Sequence, residues 1–335
     1  MPNRDVNVLA DRLAQFVPLA QGLTEVQPLS TGHSNETYLL NGVDLVLRMP
    51  PSQTPLVTSA HSVTAQATIL QRLAETLTAP FLPVVRHSEP DSEILGDPFF
   101  LMDFAPGQTF SEYGVPDWLA EGDDSFRGSI IEQYVQSIVT VHQHGILDAL
   151  GEPLCSADEL DKWRLVAHAA HNSRLLACFD ALDRMEPARS GDPTLVHGDP
   201  KPQNALFDDG RLTALLDWEM SFNGDPLWDL GYILIFFESP VHAAFGGCDL
   251  PGMPDRAQAI AAWERGTGRS ATGVEWYEAA SMAKVASLLA YGAYLGDNDL
   301  TTDERLLAWG PFAELFISNS EAETDSAVRL LTSST

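Results

Sequence analysis

The sequence predicts an α+β fold with two lobes, a small β-rich lobe at residues 1–103 and a larger, mostly helical lobe at residues 104–335. In the first lobe, short apolar runs are separated by turn residues, as in a sheet, and helical spacing is confined to two segments. In the second lobe, helical spacing dominates apart from a β-rich insert at residues 194–216. The 335 residues, of which 44% are hydrophobic, are enough for one large core or two modest ones.

In the N-terminal lobe, the predicted strands are short and follow turn signals. A helix is predicted over residues 5–17, and a second over residues 58–76 ends before Pro80. Asn41-Gly42 is a strong hairpin signal and is predicted to join two of the strands. The predicted strands are residues 26–29, 37–40, 44–49, 84–87 and 99–104.

In the C-terminal lobe, apolar residues recur every three or four positions, which predicts helices. The apolar tract at residues 231–237 is far too short for a membrane span and is predicted to be a buried helix segment. Short strands are predicted at residues 194–197, 205–207 and 212–216. The predicted helices are residues 128–145, 160–185, 226–238, 255–266, 274–295, 302–316 and 321–333.

Charge and cysteine usage limit the expected partners and compartment. The net charge is −28, so we expect neither nucleic acid nor an anionic membrane as a partner. This charge could attract a cationic substrate, or it could reflect an acidic or salt-adapted proteome. No apolar run resembles a signal peptide or a membrane helix. The three cysteines, Cys155, Cys178 and Cys248, are widely spaced and are expected to be buried and unpaired. This usage predicts a cytoplasmic location. The sequence does not predict an oligomeric state.

The segment that says most about chemistry is His197–Phe207, followed by Leu215–Glu219. It contains the pattern H-x-D-x-x-x-x-N ahead of a strand and an Asp, which is the arrangement of a kinase catalytic loop. Each residue alone has an ordinary explanation as a turn or cap, but their order and spacing together indicate phosphoryl transfer. Asp199 is predicted to orient the substrate hydroxyl and accept its proton. Asn204 and Asp217 are predicted to hold Mg²⁺, because hard oxygen ligands suit this ion.

The segment continues through Gly224-Asp225-Pro226 and resembles the aminoglycoside phosphotransferase family, whose hallmark is H-G-D-x-x-x-x-N, then D-W-E, then G-D-P-x-x-D-L. More narrowly, the chain is similar to the branch associated with acyl-CoA dehydrogenases, on motifs at residues 32–38, 46–48 and 275–278. The resemblance spans roughly residues 25–295. It implies a two-lobed, protein-kinase-like fold, ATP and Mg²⁺ as cofactors, and a small hydroxylated molecule as the substrate.

The same resemblance implies roles for individual residues. Ser34 matches the loop that covers the ATP phosphates, and Arg48 takes the position of the strand lysine that grips them. His197 is implied to orient the catalytic loop, and Lys201 to lie near the transferred phosphate. The hinge, whose backbone groups would hydrogen-bond adenine, is matched by Met102, Asp103 and Phe104.

The chain departs from the family pattern on the helix of the small lobe. The family places a Glu there as the ion-pair partner of the strand cation, and this chain has Gln66. A glutamine can hydrogen-bond to Arg48 but forms no ion pair, which leaves open slow turnover, an unusual nucleotide geometry or a partner role. Glu75 is a poor substitute, because it lies nine positions later and two and a half helical turns away.

The leading hypothesis is an ATP-dependent phosphotransferase that acts on a hydroxyl of a small molecule. The second is a catalytically weak, kinase-like module that binds a nucleotide or metabolite, which only Gln66 favours. A protein kinase ranks third, because Trp-Glu follows Asp217 in place of Phe-Gly and no Ala-Pro-Glu segment follows. Antibiotics, sugars, choline-like alcohols and hydroxyacyl compounds stay open as acceptors: acidity favours a cation, whereas the branch resemblance favours an acyl or hydroxy-acid metabolite.

Overall fold

A five-stranded antiparallel sheet in the N-terminal lobe and a mostly helical C-terminal lobe confirm the predicted α+β fold. The exact boundary between residues 103 and 104 stays a prediction. The computed structural model describes residues 4–29, 35–52, 62–91, 93–110, 115–187, 191–237, 250–301 and 304–333.

The sheet contains the predicted strands of the N-terminal lobe. Its strands are β1 (Glu25–Pro28), β2 (Glu36–Asn41), β3 (Leu45–Met49), β4 (Val85–Glu89) and β5 (Phe99–Asp103). They lie in the order β1-β2-β3-β5-β4 across the sheet. The predicted hairpin is confirmed, since β2 pairs with β3 directly after the Asn41-Gly42 turn. Gly42 has a φ of +91°, a left-handed backbone that glycine adopts without a steric penalty.

Most of the nine predicted helices are found with their ends shifted by a few residues, among the eleven helices that the described residues form. They are α1 (Val6–Phe16), α2 (Val63–Thr76), α3 (Asp117–Ala120), α4 (Asp124–Gln143), α5 (Ser156–Ala169), α6 (Ser173–Asp183), α7 (Leu227–Leu234), α8 (Arg256–Thr267), α9 (Val274–Asp297), α10 (Glu304–Leu307) and α11 (Gly310–Ser333).

Two helix predictions are wrong. The single helix predicted over residues 160–185 is α5 and α6, because the side chain of Asn172 caps a new helix by accepting a hydrogen bond from the amide of Leu175 at 3.1 Å. The helices predicted at 302–316 and 321–333 are instead the short α10 and the continuous α11. Ile317 and Ser320 are buried on α11, so its inner face continues through the predicted break.

Alternation along β3 determines which of its side chains reach the space between the lobes. Leu45 and Leu47 lie in a small apolar cluster with α1, on the outer face of the sheet. Val46 lies in the larger core, together with α2 and the helices of the C-terminal lobe. Arg48 has the same parity as Val46, so its guanidinium is directed toward the C-terminal lobe.

Two small antiparallel ribbons carry the catalytic-loop motif. The pairs are β6 (Thr194–Val196) with β9 (Phe222–Gly224), and β7 (Ala205–Asp208) with β8 (Arg211–Leu215). The three predicted short strands are therefore confirmed, whereas the three-residue strand β9 was not predicted. The ribbons place the segment after β6 and the segment after β8 side by side.

The described cysteines correct one expectation about burial. Cys178 is buried and Cys155 is exposed, and both are free thiols. Cys155 is exposed because it stands at the N-terminus of α5, where its amide donates to Asp158 at 3.1 Å. Cys248 lies outside the described residues. None of the helices in the described part of the chain is long and apolar enough to cross a membrane; the cytoplasmic location stays a prediction.

Candidate active site

A cavity of about 720 Å³ lies between the sheet and the helical lobe. Of the site residues predicted from the sequence, His197 lies behind the wall of this cavity, and Ser34 falls outside the described residues. The structure brings the others together on its lining, namely Arg48, Gln66, Met102, Asp103, Phe104, Asp199, Lys201, Asn204 and Asp217.

The catalytic loop follows β6 and is held by hydrogen bonds to Asp229 on α7. The fully buried carboxylate of Asp229 accepts hydrogen bonds from the backbone amides of His197 at 2.7 Å and Gly198 at 2.8 Å. Gly198 has a φ of +84°, and a side chain there would collide with the carbonyl group of Met220. Burial raises the pKa of Asp229, but hydrogen bonds and nearby charge, first of all from His142, outweigh it and hold the pKa below its usual value.

Asp199 lies in this loop directly after Gly198, with both carboxylate oxygens hydrogen-bonded. The hydroxyl of Tyr232 donates to Oδ1 at 2.7 Å, and Nδ2 of Asn204 donates to Oδ2 at 3.0 Å. The ammonium of Lys201 lies 4.0 Å from Oδ2. Burial raises the pKa of Asp199, but the charges of Lys201 and Lys284 and the Tyr232 hydrogen bond outweigh it. The net effect is a lowered pKa, so this carboxylate is ionised at neutral pH.

His197 connects the catalytic loop to the segment that carries Asp217. Its Nδ1 accepts a hydrogen bond from the amide of Asp199 at 3.3 Å, so its Nε2 carries the proton that is donated to the carbonyl of Leu216 at 2.9 Å. The ring packs on Trp218 with a centroid separation of 4.6 Å. Burial lowers the pKa of His197 below its ordinary value, which is consistent with a neutral imidazole that makes both bonds.

Acidification is expected to destabilise the protein through His197. Because its pKa is lowered from 6.5 in the folded state, the unfolded chain binds the additional proton, and this contribution to stability is lost as the pH falls below about 6.5. The loss is at most about 1.4 kcal/mol per pH unit. This loss is measured by urea unfolding of the wild type and of His197→Asn at about pH 7.5 and about pH 5.5. Because the carboxylates titrate in both proteins, the difference between the two pH dependences isolates the contribution of His197. The same pH dependence in both would contradict the expectation.

Asp217 lies two residues after β8, opposite Arg48 of the small lobe. Its φ of +62° is left-handed, a conformation that Asp and Asn adopt more readily than most residues. Nη2 of Arg48 donates to Oδ1 of Asp217 at 2.5 Å and lies 3.7 Å from Oε2 of Glu219. The side-chain Nδ2 of Asn35 donates to the same Glu219 oxygen at 2.5 Å. These contacts link the two lobes across the cavity.

Gln66 is buried and lines the same cavity as Arg48, but the hydrogen bond considered possible between them is not formed. Within the described residues, Oε1 of Gln66 and Nε of Arg48 are both buried without a hydrogen-bond partner. Nη1 of Arg48 donates instead to Oγ1 of Thr37 at 3.0 Å. The guanidinium and the Gln66 oxygen therefore keep unused hydrogen-bonding capacity.

The hinge segment lines the cavity, although two of its amides are already used. The amide of Asp103 donates to the carbonyl of Val84, and the amide of Phe104 donates to the carbonyl of Asp44, each at 3.0 Å. A nucleotide base at this edge would have to bond to other backbone groups of the segment. The role of the hinge stays a prediction.

The sequence interpretation missed several polar residues of the site. Lys284 on α9 is buried and donates to the carbonyl of Gly198, and burial lowers its pKa to about 8. Tyr232 was treated only as part of an apolar tract. A lone lysine among the small and apolar residues of α9, and a lone hydroxyl in the tract 231–237, are the signals that could have identified them. Glu219 and Asn35 lie within the motifs at residues 217–219 and 32–38, but neither was assigned a role of its own.

One wall of the cavity, next to Tyr232, is apolar and aromatic. It is formed by the end of α7 and the residues just after it, by α9, and by α11 with the residue before it. The lining residues of this wall are Tyr232, Phe236, Val285, Leu288, Leu289, Trp309, Phe312 and Phe316.

The chain is similar to known proteins in sequence and in structure. A model of the phosphotransferase enzyme family matches residues 25–271, which is more than half of the chain. Acyl-CoA dehydrogenase family member 10 from Mus musculus is 31% identical over 234 residues, which cover 65% of this chain and 21% of that protein. The chain thus spans 21% of the length of this protein, and it spans 40% of the length of acyl-CoA dehydrogenase family member 11 from the same organism.

Solved structures of low sequence identity share the fold. A candidate aminoglycoside phosphotransferase from Ralstonia eutropha superimposes with a TM-score of 0.76 at 22% identity, covering 96% of this chain and 98% of that one. APH(2″)-IIa, solved as a ternary complex with streptomycin and ATP, gives a TM-score of 0.61 at 15% identity, covering 97% of this chain and 99% of that one. These similarities confirm the predicted two-lobed, protein-kinase-like fold.

Proposed function

Because this chain belongs to the phosphotransferase enzyme family, we propose that it transfers the γ-phosphoryl group of ATP to a hydroxyl group of a small molecule. The observation that carries the proposal is that Asp199, Asn204 and Asp217 line one cavity together with Arg48. These are the groups that phosphoryl transfer requires: a carboxylate for the attacking hydroxyl, oxygen ligands for a metal, and a cation for the phosphates.

In the proposed reaction, the acceptor oxygen attacks the γ-phosphorus and forms a new P–O bond. The bond from that phosphorus to the β,γ-bridging oxygen breaks, and ADP leaves. The proton of the acceptor hydroxyl passes to the carboxylate of Asp199, whose lowered pKa keeps it ionised and ready to accept the hydrogen bond. Lys201 lies 4.0 Å from this carboxylate and would balance charge on the transferred group. His197 would hold the loop in place through its two hydrogen bonds.

Asp217 and Asn204 fit the requirements of Mg²⁺. Nδ2 of Asn204 donates to Asp199, so its Oδ1 is the atom that would bind the ion. No cluster of three or more His, Cys, Asp and Glu side chains that could hold a metal is found where the chain is described. Mg²⁺ suits such a site, since it is usually held by one or two carboxylates together with substrate phosphates and water. When bound, it would neutralise the charge that develops on the phosphates.

The apolar wall beside Tyr232 supports an acceptor with an apolar body. A polycationic antibiotic would place ammonium groups against Phe236, Phe312 and Phe316, and the described residues of this wall include no carboxylate to pair with them. A hydroxylated acyl compound could bury its chain against the same residues while its hydroxyl reaches Asp199. We therefore favour a hydroxyacyl acceptor over the cation that the net charge of −28 suggested. The names of the acyl-CoA dehydrogenase relatives fit this choice.

A screen of acceptors tests the proposed function directly. Transfer of radiolabelled γ-phosphate from ATP in the presence of Mg²⁺ would be measured for hydroxyacyl compounds, sugars, choline-like alcohols and aminoglycosides. We expect transfer to a hydroxyacyl compound and none to aminoglycosides. Transfer only to a polycation would contradict the acceptor class, and transfer to no acceptor would contradict the function.

The clamp on the nucleotide gives a further prediction. If Arg48 holds the ATP phosphates, Arg48→Ala loses a charge-assisted contact and is expected to raise the KM for ATP by about 10–100-fold, with a smaller effect on the KM of the alcohol. Gln66→Glu would give the buried Nε of Arg48 an acceptor, so the KM for ATP is expected to fall or stay unchanged. Steady-state kinetics measure both.

Arg72→Ala is a suitable control for these variants. Arg72 lies on the same helix as Gln66, but its exposed side chain pairs only with Glu75 at 3.1 Å among the described residues. It should leave the KM for ATP unchanged. A Gln66→Glu protein that no longer binds ATP would show that Gln66 does not face the phosphate-binding cation.

A second candidate function is a module that binds a nucleotide or metabolite without efficient transfer. It is favoured by the neutral Gln66 and by the direct pairing of Arg48 with Asp217 at 2.5 Å, which occupies two groups that ATP and Mg²⁺ would need. Calorimetric binding of ATP with no turnover on any acceptor would support this alternative.

A further inference from the structure

Two buried side chains connect Asp199 to the helices behind the catalytic loop, and the family motifs include neither of them. We propose that Lys284 and Tyr232 are positioning residues that hold Asp199 and its loop in the geometry required for phosphoryl transfer. This inference rests on the proposed function, because it assigns both residues to the same site.

The side chain of Lys284 holds the catalytic loop by a hydrogen bond to the backbone of the loop. Its side chain is 2% exposed, and its ammonium group donates to the carbonyl of Gly198, the residue immediately before Asp199. The ammonium lies 4.6 Å from the centre of the Trp163 ring and 5.0 Å from the centre of the Tyr232 ring. A buried cation requires such partners to offset its loss of hydration. Lys284 is therefore held by one hydrogen bond to the catalytic loop and by two aromatic rings, one of which belongs to Tyr232.

Tyr232 fixes the carboxylate itself. Its hydroxyl donates to Oδ1 of Asp199 at 2.7 Å, while Asn204 donates to Oδ2 at 3.0 Å, so both oxygens have defined positions. A carboxylate held at both oxygens cannot rotate freely about its own axis. Because small displacements of a reacting group reduce rates strongly, this restriction bears on turnover.

Lys284 and the neighbouring Lys162 share charged surroundings but differ in their contact with the catalytic loop. Asp199, Asp229 and Glu159 act on it electrostatically, as does the cation of Lys162. Lys162 lies over the same Trp163 ring at 4.8 Å and is 3.5 Å from Glu159. Its side chain is partly exposed, and among the described residues it makes no hydrogen bond or ion pair with the catalytic loop. Lys162 therefore offers a matched control that shares the surroundings of Lys284 and not its contact.

The test compares Lys284→Met, Tyr232→Phe and the control Lys162→Met in the full chain. We expect kcat to fall by about 10–100-fold in Lys284→Met and by about 10-fold in Tyr232→Phe, with the Kd for ATP unchanged by calorimetry. Lys162→Met should retain the wild-type kcat. Hydrogen exchange of the peptide covering residues 197–204 should be faster in Lys284→Met than in Lys162→Met.

Each outcome decides the proposal. A folded Lys284→Met protein with the kcat and exchange rate of the control would overturn it, as would a loss of kcat that merely parallels a loss of folded protein or of ATP binding. If Lys284→Met does not fold, Tyr232→Phe keeps the test, because it removes a single hydroxyl, and a wild-type kcat would then overturn the proposal. If the wild type phosphorylates no acceptor, the proposed function fails, and the exchange comparison alone decides whether Lys284 orders the loop.

Discussion

Asp199→Asn is expected to lower turnover by about 10²–10⁴-fold, the usual contribution of general-base catalysis, with the affinity for ATP nearly unchanged. Asparagine keeps the shape of the side chain but loses its charge and most of its affinity for a proton. In the structure, the Asp199 oxygens are held by Tyr232 and Asn204, and the same carboxylate is the one expected to face the acceptor hydroxyl. Single-turnover kinetics beside a nucleotide titration would measure the two quantities separately.

The competing explanation is that Asp199 only stabilises the loop. An asparagine caps a turn about as well as an aspartate, so in that case Asp199→Asn would keep most of its activity. Asp229→Asn is the informative comparison, because Asp229 accepts hydrogen bonds from the backbone amides of His197 and Gly198 and does not line the cavity. We expect Asp229→Asn to lower the urea midpoint and Asp199→Asn to leave it nearly unchanged. Near-wild-type turnover in Asp199→Asn would remove Asp199 as the base.

The part of the site that follows from the sequence is the part encoded by short motifs. Asp199 and Asn204 share one loop, and Asp217 follows a strand that pairs with the strand after Asn204, so local spacing is enough to bring them together. Arg48 could also be placed, because strand alternation gives it the parity of Val46 and directs it to the cavity. The fold class followed from the same regularities of period and turn.

The remaining features depend on packing between distant segments. Tyr232 lies 33 positions from Asp199, and Lys284 lies 86 positions from Gly198, so no local pattern could connect them. The continuity of α11 follows from the burial of Ile317 and Ser320, which depends on the helices it packs against. Arg48 is hydrogen-bonded to Asp217 and not to Gln66. Sequence spacing alone does not determine which acceptor its guanidinium binds.

Asp217→Asn is expected to lower Mg²⁺-dependent turnover by at least about 10³-fold, because a metal ion contributes several kcal/mol of charge stabilisation to the transition state. The neutral amide loses the charge that binds Mg²⁺, and it also loses the ion pair with Arg48 at 2.5 Å. The fold should be retained, because the left-handed φ of +62° at this position suits Asn as well as Asp. Turnover measured against Mg²⁺ concentration, beside thermal unfolding, would separate a lost ligand from a lost fold.

Glu219→Gln distinguishes the two roles of the charge that Asp217→Asn removes, namely metal ligand and ion-pair partner of Arg48. Glu219 lies 3.7 Å from the same guanidinium and is bonded to Asn35, so its replacement weakens the field around Arg48 without removing the metal ligand. Glu219→Gln should therefore shift the KM for ATP and leave the Mg²⁺ dependence of kcat unchanged. Asp217→Asn should instead shift the Mg²⁺ dependence itself, since the carboxylate is expected to be the main protein ligand of the ion. If Asp217→Asn kept wild-type turnover at ordinary Mg²⁺, the metal would have to be held elsewhere in the cavity, and the strand-end carboxylate would be only the partner of Arg48.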